Sequence, residues 1–113
     1  MNRDEILAMP AGRKLDAIVA EKVMGFELDR YRPNNAIDRV SNYSHGIKKY
    51  TTDISAAWDV MKKLQENFIF IDLFSTSDSY NVIINECDSV NAEEAPEAIC
   101  KAALINTIGA DNP

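Results

Sequence analysis

The side chains of this sequence that could do chemistry are one histidine, two cysteines and a surplus of carboxylates. A general base needs a group that accepts a proton near neutral pH and a partner that orients it. His45 is the only histidine, and its neighbours in sequence identify no such partner. We therefore expect a structural or solvated role for His45 rather than a catalytic one.

Catalytic and metal-binding signatures are absent from the sequence. It contains no GxSxG, HExxH, Walker-type or dinucleotide-binding motif. Cys87 and Cys100 lack the short spacing of zinc ligands, and a disulfide between them would need Cα atoms within about 7 Å. We expect buried free thiols, with Cys100 on a packing face. The sequence thus predicts a protein that is not an enzyme and has no cofactor or metal.

An acidic group near the C-terminus is the one feature that favours metal chemistry. Carboxylates at this density could hold Mg²⁺ or Ca²⁺ and serve a small metal-dependent hydrolase. More often, acidic residues at a helix start are solvated and compensate the helix dipole. We favour that second interpretation for Asp88, Glu93, Glu94 and Glu97.

Length and charge limit the classes of protein that this chain can belong to. With 113 residues, 46% of them hydrophobic, we expect a single domain over residues 1–113. A formal net charge of -6 disfavours binding along a long nucleic acid, which depends on phosphate neutralisation by Lys and Arg. No apolar run is long enough for a membrane helix, and no signal peptide is evident. We expect a cytoplasmic protein.

The charge is unevenly distributed along the chain. From residue 26 to residue 52 there are five basic residues against three acidic ones, whereas Lys101 is the only basic residue after residue 74. Tyrosines interleave with the basic residues, a composition suited to phosphate contacts and base stacking. An ordinary solvated loop is the alternative. The candidate ligand-binding residues are Arg30, Tyr31, Arg32, Tyr43, His45, Lys48, Lys49 and Tyr50.

Three helical segments are predicted from side-chain spacing. After a short turn from Asp4 to Met9, the first long helix opens at Pro10 and ends at Gly25. Residues 51–53 provide N-cap chemistry for the second helix. Its predicted core stripe, in which Trp58 is expected to pack rather than stack on a ligand, is Ile54, Ala57, Trp58, Met61 and Leu64. The third helix starts near residues 93–96 and has a small-residue face.

Strands are predicted between these helices. Residues 68–74 read FIFIDLF, which is apolar at both odd and even positions and predicts a strand covered on both faces. Residues 80–86 form its hairpin partner. Further strands are predicted at residues 26–31 and, more weakly, 47–50, with a long loop at residues 33–46. The predicted fold is α+β, a three-layer α/β/α sandwich with a small, mainly antiparallel sheet and helices on both faces.

Three blocks of the sequence resemble one family. Residues 50–64, YTTDISAAWDVMKKL, are similar to a Y-[ST]-T-D-I-x-A-A-W segment of small phage and prophage proteins, the phage ABA sandwich domain. Residues 12–26, GRKLDAIVAEKVMGF, and residues 95–105, APEAICKAALI, resemble two further blocks of that family, although Phe26 stands where Trp is usual. The resemblance implies an α/β/α sandwich of phage or prophage origin and no established activity.

Three functions remain open from the sequence. The favoured one is a non-catalytic binding module in the cytosol of a bacterial host. It would sequester a small anionic, nucleotide-like signal of host antiviral defence, or inhibit a host protein. The alternatives are a structural or assembly protein of the phage and, least favoured, the metal-dependent hydrolase. We expect no membrane and no long nucleic acid as partners, and we expect that the chain can form a homo-oligomer, for which the small-residue helix face is one candidate surface.

Overall fold

The computed structural model describes residues 2–85 and 88–111, and within these ranges it has four helices and six strands. The helices are α1 (Arg3–Ala8), α2 (Arg13–Lys22), α3 (Ile54–Glu66) and α4 (Ala95–Asp111). The strands are β1 (Glu27–Leu28), β2 (Asn35–Ile37), β3 (Ser44–Gly46), β4 (Ile71–Ser75), β5 (Tyr80–Ile84) and β6 (Asp88–Ala92).

The helix starts follow local capping chemistry. The Asp53 carboxylate accepts a hydrogen bond from the Ser55 N–H at 2.9 Å, which confirms the predicted N-cap of α3. The predicted start at Pro10 is wrong, because α2 begins at Arg13. The break falls at Gly12, whose φ of 146° is a backbone conformation that side-chain-bearing residues rarely adopt.

The strands divide into two antiparallel three-stranded sheets, in the orders β1-β2-β3 and β4-β5-β6. The α+β class and the antiparallel pairing are therefore confirmed. The predicted hairpin is present as β4 and β5, with Leu73 opposite Val82, although β4 begins only at Ile71. The sequence analysis missed β6, because its residues DSVNA carry a single large apolar side chain, Val90.

The small sheet corrects two expectations. Residues 33–46, predicted as a loop, contain β2 and β3, and residues 47–50, predicted as a weak strand, lie outside the strands. These strands are only two or three residues long, which is too short for an apolar period to be visible in the sequence. Their register, with Ala36 opposite His45, is set by tertiary pairing.

The core is centred on α4, which packs on β5 and β6 and also on α1, α2 and α3. The small face of α4 is fully buried at Ala98, Ala102 and Ala103. It therefore packs inside the molecule and is not free to mediate oligomerisation. Lys101 is also buried, and its ammonium group contacts Glu97 at 2.7 Å and the Leu7 carbonyl at 2.9 Å. This contact ties α1 to α4.

Several predicted core positions are exposed instead. On α3 the buried residues are Ala56, Ala57, Val60 and Leu64, so Ala57 and Leu64 are confirmed, whereas the core stripe is rotated away from Ile54 and Trp58. Trp58 is consequently 46% exposed. Phe74 on β4 is also exposed, so the expectation that this strand is covered on both faces is not met.

Candidate functional site

The predicted site residues do not share one environment. Arg30, Tyr31 and Arg32 form the exposed turn between β1 and β2. The Asp29 carboxylate holds this turn, since it accepts hydrogen bonds from the Ser44 hydroxyl at 2.7 Å and the Tyr31 N–H at 2.9 Å. These bonds, the Ser44 bond first, lower the pKa of Asp29 below its usual value. The base of the turn is therefore fixed while its side chains face solvent.

Tyr43 and His45 lie away from that turn. Tyr43 is exposed at the opposite end of β2, beside the turn that Asp38 stabilises through the Val40 N–H. The His45 ring packs edge-on against Phe26, with 4.9 Å between ring centroids, and its Nδ1 lies 3.1 Å from the Gly46 carbonyl. Neither side chain forms part of the Arg30–Arg32 turn.

Tyr50 is a core residue rather than a ligand-stacking residue. It is 2% exposed, and burial raises the pKa of its hydroxyl to about 12. Its carbonyl accepts a hydrogen bond from the Cys100 thiol at 3.1 Å. Burial inside the core removes Tyr50 from the set of residues able to contact a ligand at the surface.

The two lysines of the predicted set differ in their partners. Lys48 forms an ion pair with Asp59 of α3 at 2.6 Å. Lys49 has no salt bridge with any residue that the structure describes. Lys49 instead lies on the wall of a cleft, and it is the one predicted site residue among those that line this cleft.

This cleft, called the α2 cleft below, has a volume of about 430 Å³. It lies where the start of α2, the turn before β2 and the segment leading to α3 meet. Its lining residues are Gly12, Arg13, Asp16, Asn34, Ile47, Lys49 and Thr52. Backbone contact closes one side, because the Ile47 N–H donates to the Asn34 carbonyl at 2.9 Å. The cleft is thus assembled from three segments that are distant in sequence.

A buried hydrogen-bond cluster, the Asp16–Thr51 bracket, forms the floor of the α2 cleft. Asp16 Oδ1 accepts from the Thr51 N–H at 2.8 Å and from the Thr51 hydroxyl at 2.6 Å. The Gly12 N–H in turn donates to Thr51 Oγ1 at 2.9 Å. Asp16 is only 5% exposed, so these bonds satisfy a carboxyl group that is largely removed from water. The bracket joins the start of α2 to the segment before α3.

The electrostatics of the α2 cleft combine both signs of charge. Arg13, like Lys49, makes no salt bridge within the described part of the chain. The bonds described for Asp16 both go to Oδ1, which leaves Oδ2 able to accept from a ligand. Gly12 caps α2 without a side-chain hydrogen bond, so the first N–H groups of this ten-residue helix can also donate to an anion.

The sequence analysis missed most of this site. Arg13 was not among the predicted site residues, and Asn34 belonged to a stretch interpreted as a loop. Asp16 carried the one usable signal, since it follows Leu15 and precedes Val19 on the side of α2 that is buried. A charged residue on a buried face needs a partner, but the sequence does not show that the partner is Thr51.

Among residues 2–85 and 88–108, no three His, Cys, Asp or Glu side chains are positioned to hold a metal ion. Cys100 is a buried free thiol, as predicted, and burial raises its pKa. Cys87 lies outside the described residues. No helix in the described part of the chain is long and apolar enough to cross a membrane.

Residues 17–104 match the phage ABA sandwich domain. The chain belongs to that family. The resemblance seen in the sequence is therefore confirmed, and so is the expectation that this is a phage-type protein. The family match includes Asn34, Lys49 and Thr52 of the α2 cleft but begins after Arg13 and Asp16.

A solved structure agrees with the family assignment. A phage protein from Bacillus cereus ATCC 14579, known from a crystal structure, is 31% identical to this phage ABA sandwich protein, with a TM-score of 0.65. The similarity covers 87% of this chain and 92% of that one. No curated protein in the comparison matches the chain.

Proposed function

We propose that this phage ABA sandwich protein is a non-catalytic binding module whose α2 cleft takes a small, nucleotide-like phosphate ligand. The observation that carries the proposal is a cleft in which two cations without ion-pair partners among the described residues, Arg13 and Lys49, flank the buried carboxylate of Asp16. A simple anion would be bound better without that carboxylate. A ligand that carries phosphate and also hydroxyl or amino donors uses both signs of charge.

The phosphate end of such a ligand binds between Arg13 and Lys49. Charge-assisted hydrogen bonds from guanidinium and ammonium groups to phosphate oxygens are about twice as strong as neutral ones. The uncapped first turn of α2 adds N–H donors on the same side. Asn34 and Thr52 supply neutral polar groups to the lining of the cleft.

The sugar or base end lies over Asp16. Oδ1 is occupied by the Thr51 bonds, so Oδ2 accepts from a hydroxyl or an exocyclic amino group. A ligand without the matching donor would displace water from Oδ2 and give it no hydrogen bond in return, so such ligands bind less well. Asp16 therefore gives the cleft specificity, while Arg13 and Lys49 give it affinity.

The exposed turn at Arg30–Arg32 extends the site. It leads directly to Asn34 on the cleft wall, and Tyr31 at its tip is 87% exposed. An exposed aromatic ring beside cations suits stacking on a base, which contributes about 1–3 kcal/mol per base. We assign the stacking role to Tyr31, whereas Tyr50 is buried in the core and cannot take it.

A binding role fits a phage protein that acts in its bacterial host by removing a nucleotide signal of antiviral defence. Sequestration requires a built, specific cleft and no catalytic groups. The lining of the α2 cleft contains neither histidine nor cysteine, and its one carboxylate is held by Thr51. The cleft is therefore better suited to holding a ligand than to turning it over.

Calorimetry with pyrophosphate and with linear and cyclic nucleotides tests this function. We expect at least one nucleotide to bind, and Arg13→Ala or Lys49→Ala to weaken it about tenfold or more, as expected for the loss of a charged hydrogen bond. Lys14→Ala is the matched control, since Lys14 is exposed on the same helix but does not line the cleft. It should leave the affinity unchanged.

Asp16→Asn separates the two roles of the cleft. The amide oxygen can keep the Thr51 bonds while the negative charge is lost, so we expect tighter pyrophosphate binding and poorer discrimination in favour of the nucleotide. If no nucleotide releases or absorbs heat at high protein concentration, or if Lys14→Ala weakens binding as much as Arg13→Ala, the proposed function is wrong.

A further inference from the structure

The two edges of the β4-β5-β6 sheet are protected differently. At the β6 edge, the Arg3 guanidinium pairs with Asp88 and donates to the Ser89 carbonyl at 3.0 Å. At the β4 edge, no side chain in the described part of the molecule bonds to the main chain of residues 71–75. Proteins usually blunt exposed strand edges with charge, cover or bulges. The β4 edge therefore lacks the protection that the β6 edge has.

The free main-chain groups of β4 can be identified from the ladder. The Asn85 N–H donates to the Phe70 carbonyl, and the Thr76 N–H donates to the Ser79 carbonyl, both at 2.8 Å. Bonded and non-bonded pairs alternate in an antiparallel ladder, so even-numbered residues of β4 face β5. The N–H and C=O groups of Ile71, Leu73 and Ser75 consequently point away from β5.

An apolar groove runs beside this edge, between α3 and β4. It has a volume of about 340 Å³ and is lined by Trp58, Met61, Lys62, Gln65 and residues 69–72. Trp58 is 46% exposed and Phe70 is 67% exposed. Large apolar side chains clustered in this way on a surface mark an interaction site more often than scattered ones do.

The inner face of the sheet is also incomplete at β4. Val82 on β5 and Val90 on β6 are fully buried because α4 packs on those two strands. Ile71 and Leu73, on the same face of β4, remain half-buried. One further strand beside β4 would cover the groove and bring its own apolar residues over Trp58.

We propose that this edge binds a second copy of the chain through antiparallel β4–β4 pairing, which joins two sheets into one of six strands. The edge is self-complementary, because a two-fold axis at Leu73 places Ile71 of each copy opposite Ser75 of the other, with all outward main-chain groups paired. Charge also favours this occupant. The groove carries one cation, Lys62, and one anion, Asp72. Two copies can therefore meet at this surface without net charge repulsion, although each chain has a net charge of -6.

The proposed β4–β4 register places a specific pair of side chains next to each other across the dimer interface. With the axis at Leu73, Asp72 lies opposite Phe74 of the second copy on the outer face, and the pair occurs twice. Phe74→Glu therefore places two carboxylates opposite each other at both positions. Like charges directly opposite on neighbouring strands are destabilising.

Sedimentation equilibrium over a micromolar dilution series tests the proposal. We expect a monomer–dimer equilibrium that Phe74→Glu weakens about tenfold or more, since the repulsion is counted twice. Ser89→Glu, an equal charge change on the exposed face of β6, is the matched control and should leave the equilibrium unchanged. Adding Asp72→Lys to Phe74→Glu restores opposite charges and should restore the dimer.

The single tryptophan gives an independent readout. Trp58 lies in the groove, so its emission should shift to shorter wavelength as the protein concentrates, and Phe74→Glu should move that shift to about tenfold higher concentration or beyond. Circular dichroism checks that each variant is folded. A wild-type chain that stays monomeric throughout the series would refute the proposal. So would a dimer that is equally insensitive to Phe74→Glu and to Ser89→Glu.

Discussion

The Asp16–Thr51 bracket predicts that the Thr51 hydroxyl contributes to the stability of the fold. Thr51→Val keeps the shape of the side chain and removes only its hydrogen-bonding ability. Thr51 is fully buried, and its hydroxyl both donates to Asp16 Oδ1 and accepts from the Gly12 N–H. The substitution therefore breaks both side-chain contacts of the bracket at once.

The expected loss of stability can be worked from these two bonds. A hydrogen bond to a charged group is worth about 1.5–3 kcal/mol, and a buried donor left unpaired costs about 1–3 kcal/mol. Asp16 keeps its bond from the Thr51 N–H, and water in the α2 cleft can reach the Gly12 N–H, so both contributions fall at the low end. We expect a decrease of about 2–3 kcal/mol in the free energy of unfolding.

Urea denaturation and thermal scans measure this decrease. For a domain of this size, 2–3 kcal/mol corresponds to a fall in Tm of about 10 °C. Thr52→Val is the control, because Thr52 is exposed and should change the free energy of unfolding by less than about 0.5 kcal/mol. Thr51→Ser keeps the hydroxyl and should recover most of the loss. If Thr51→Val costs less than about 1 kcal/mol, or no more than Thr51→Ser, the bracket does not hold the buried carboxylate.

Three further predictions concern other buried or bonded groups. Lys101→Ala removes the cation that binds the Leu7 carbonyl. We expect the free energy of unfolding, measured with urea, to fall by about 2–4 kcal/mol and amide exchange in α1 to become faster. In a chain with Cys87 replaced by Ser, Cys100 should react with a thiol reagent only on unfolding, because burial raises its pKa; prompt reaction of the native protein would contradict this. NMR titration of Asp29 should give a pKa below 3.8, and Ser44→Ala should raise this pKa. Because the pKa of Asp29 is lower in the folded chain than in the unfolded chain, its ionised form stabilises the fold at pH values above 3.8. That stabilisation is lost as the pH falls through the pKa of Asp29 in the folded chain.

The elements that the sequence analysis placed correctly are those with long or chemically distinct signals. Asp53 begins α3 as its capping chemistry predicts, and β4 and β5 form the expected hairpin. The short strands β2 and β3 were missed, because three residues cannot display a period. Their pairing depends on partners elsewhere in the chain.

The candidate site shows the same division. Lys49 was predicted and lies in the α2 cleft, and Tyr31 was predicted and is exposed near the turn that leads to it. Tyr50, like Tyr31, is a tyrosine that follows a basic residue in the sequence, yet it is buried in the core. Composition cannot distinguish these two tyrosines, since burial is a property of the packed chain.

The sequence alone determined the family, the α+β class, the hairpin and the buried state of Cys100, because each follows from local side-chain types or from extended matching blocks. Only the tertiary structure decided which groups meet. It brought Asp16 to Thr51, turned Trp58 outward and divided the strands between two sheets. The physical reason is that a single residue of helical phase, or one backbone turn at Gly12, changes which side chains are buried and leaves the sequence pattern almost unaltered.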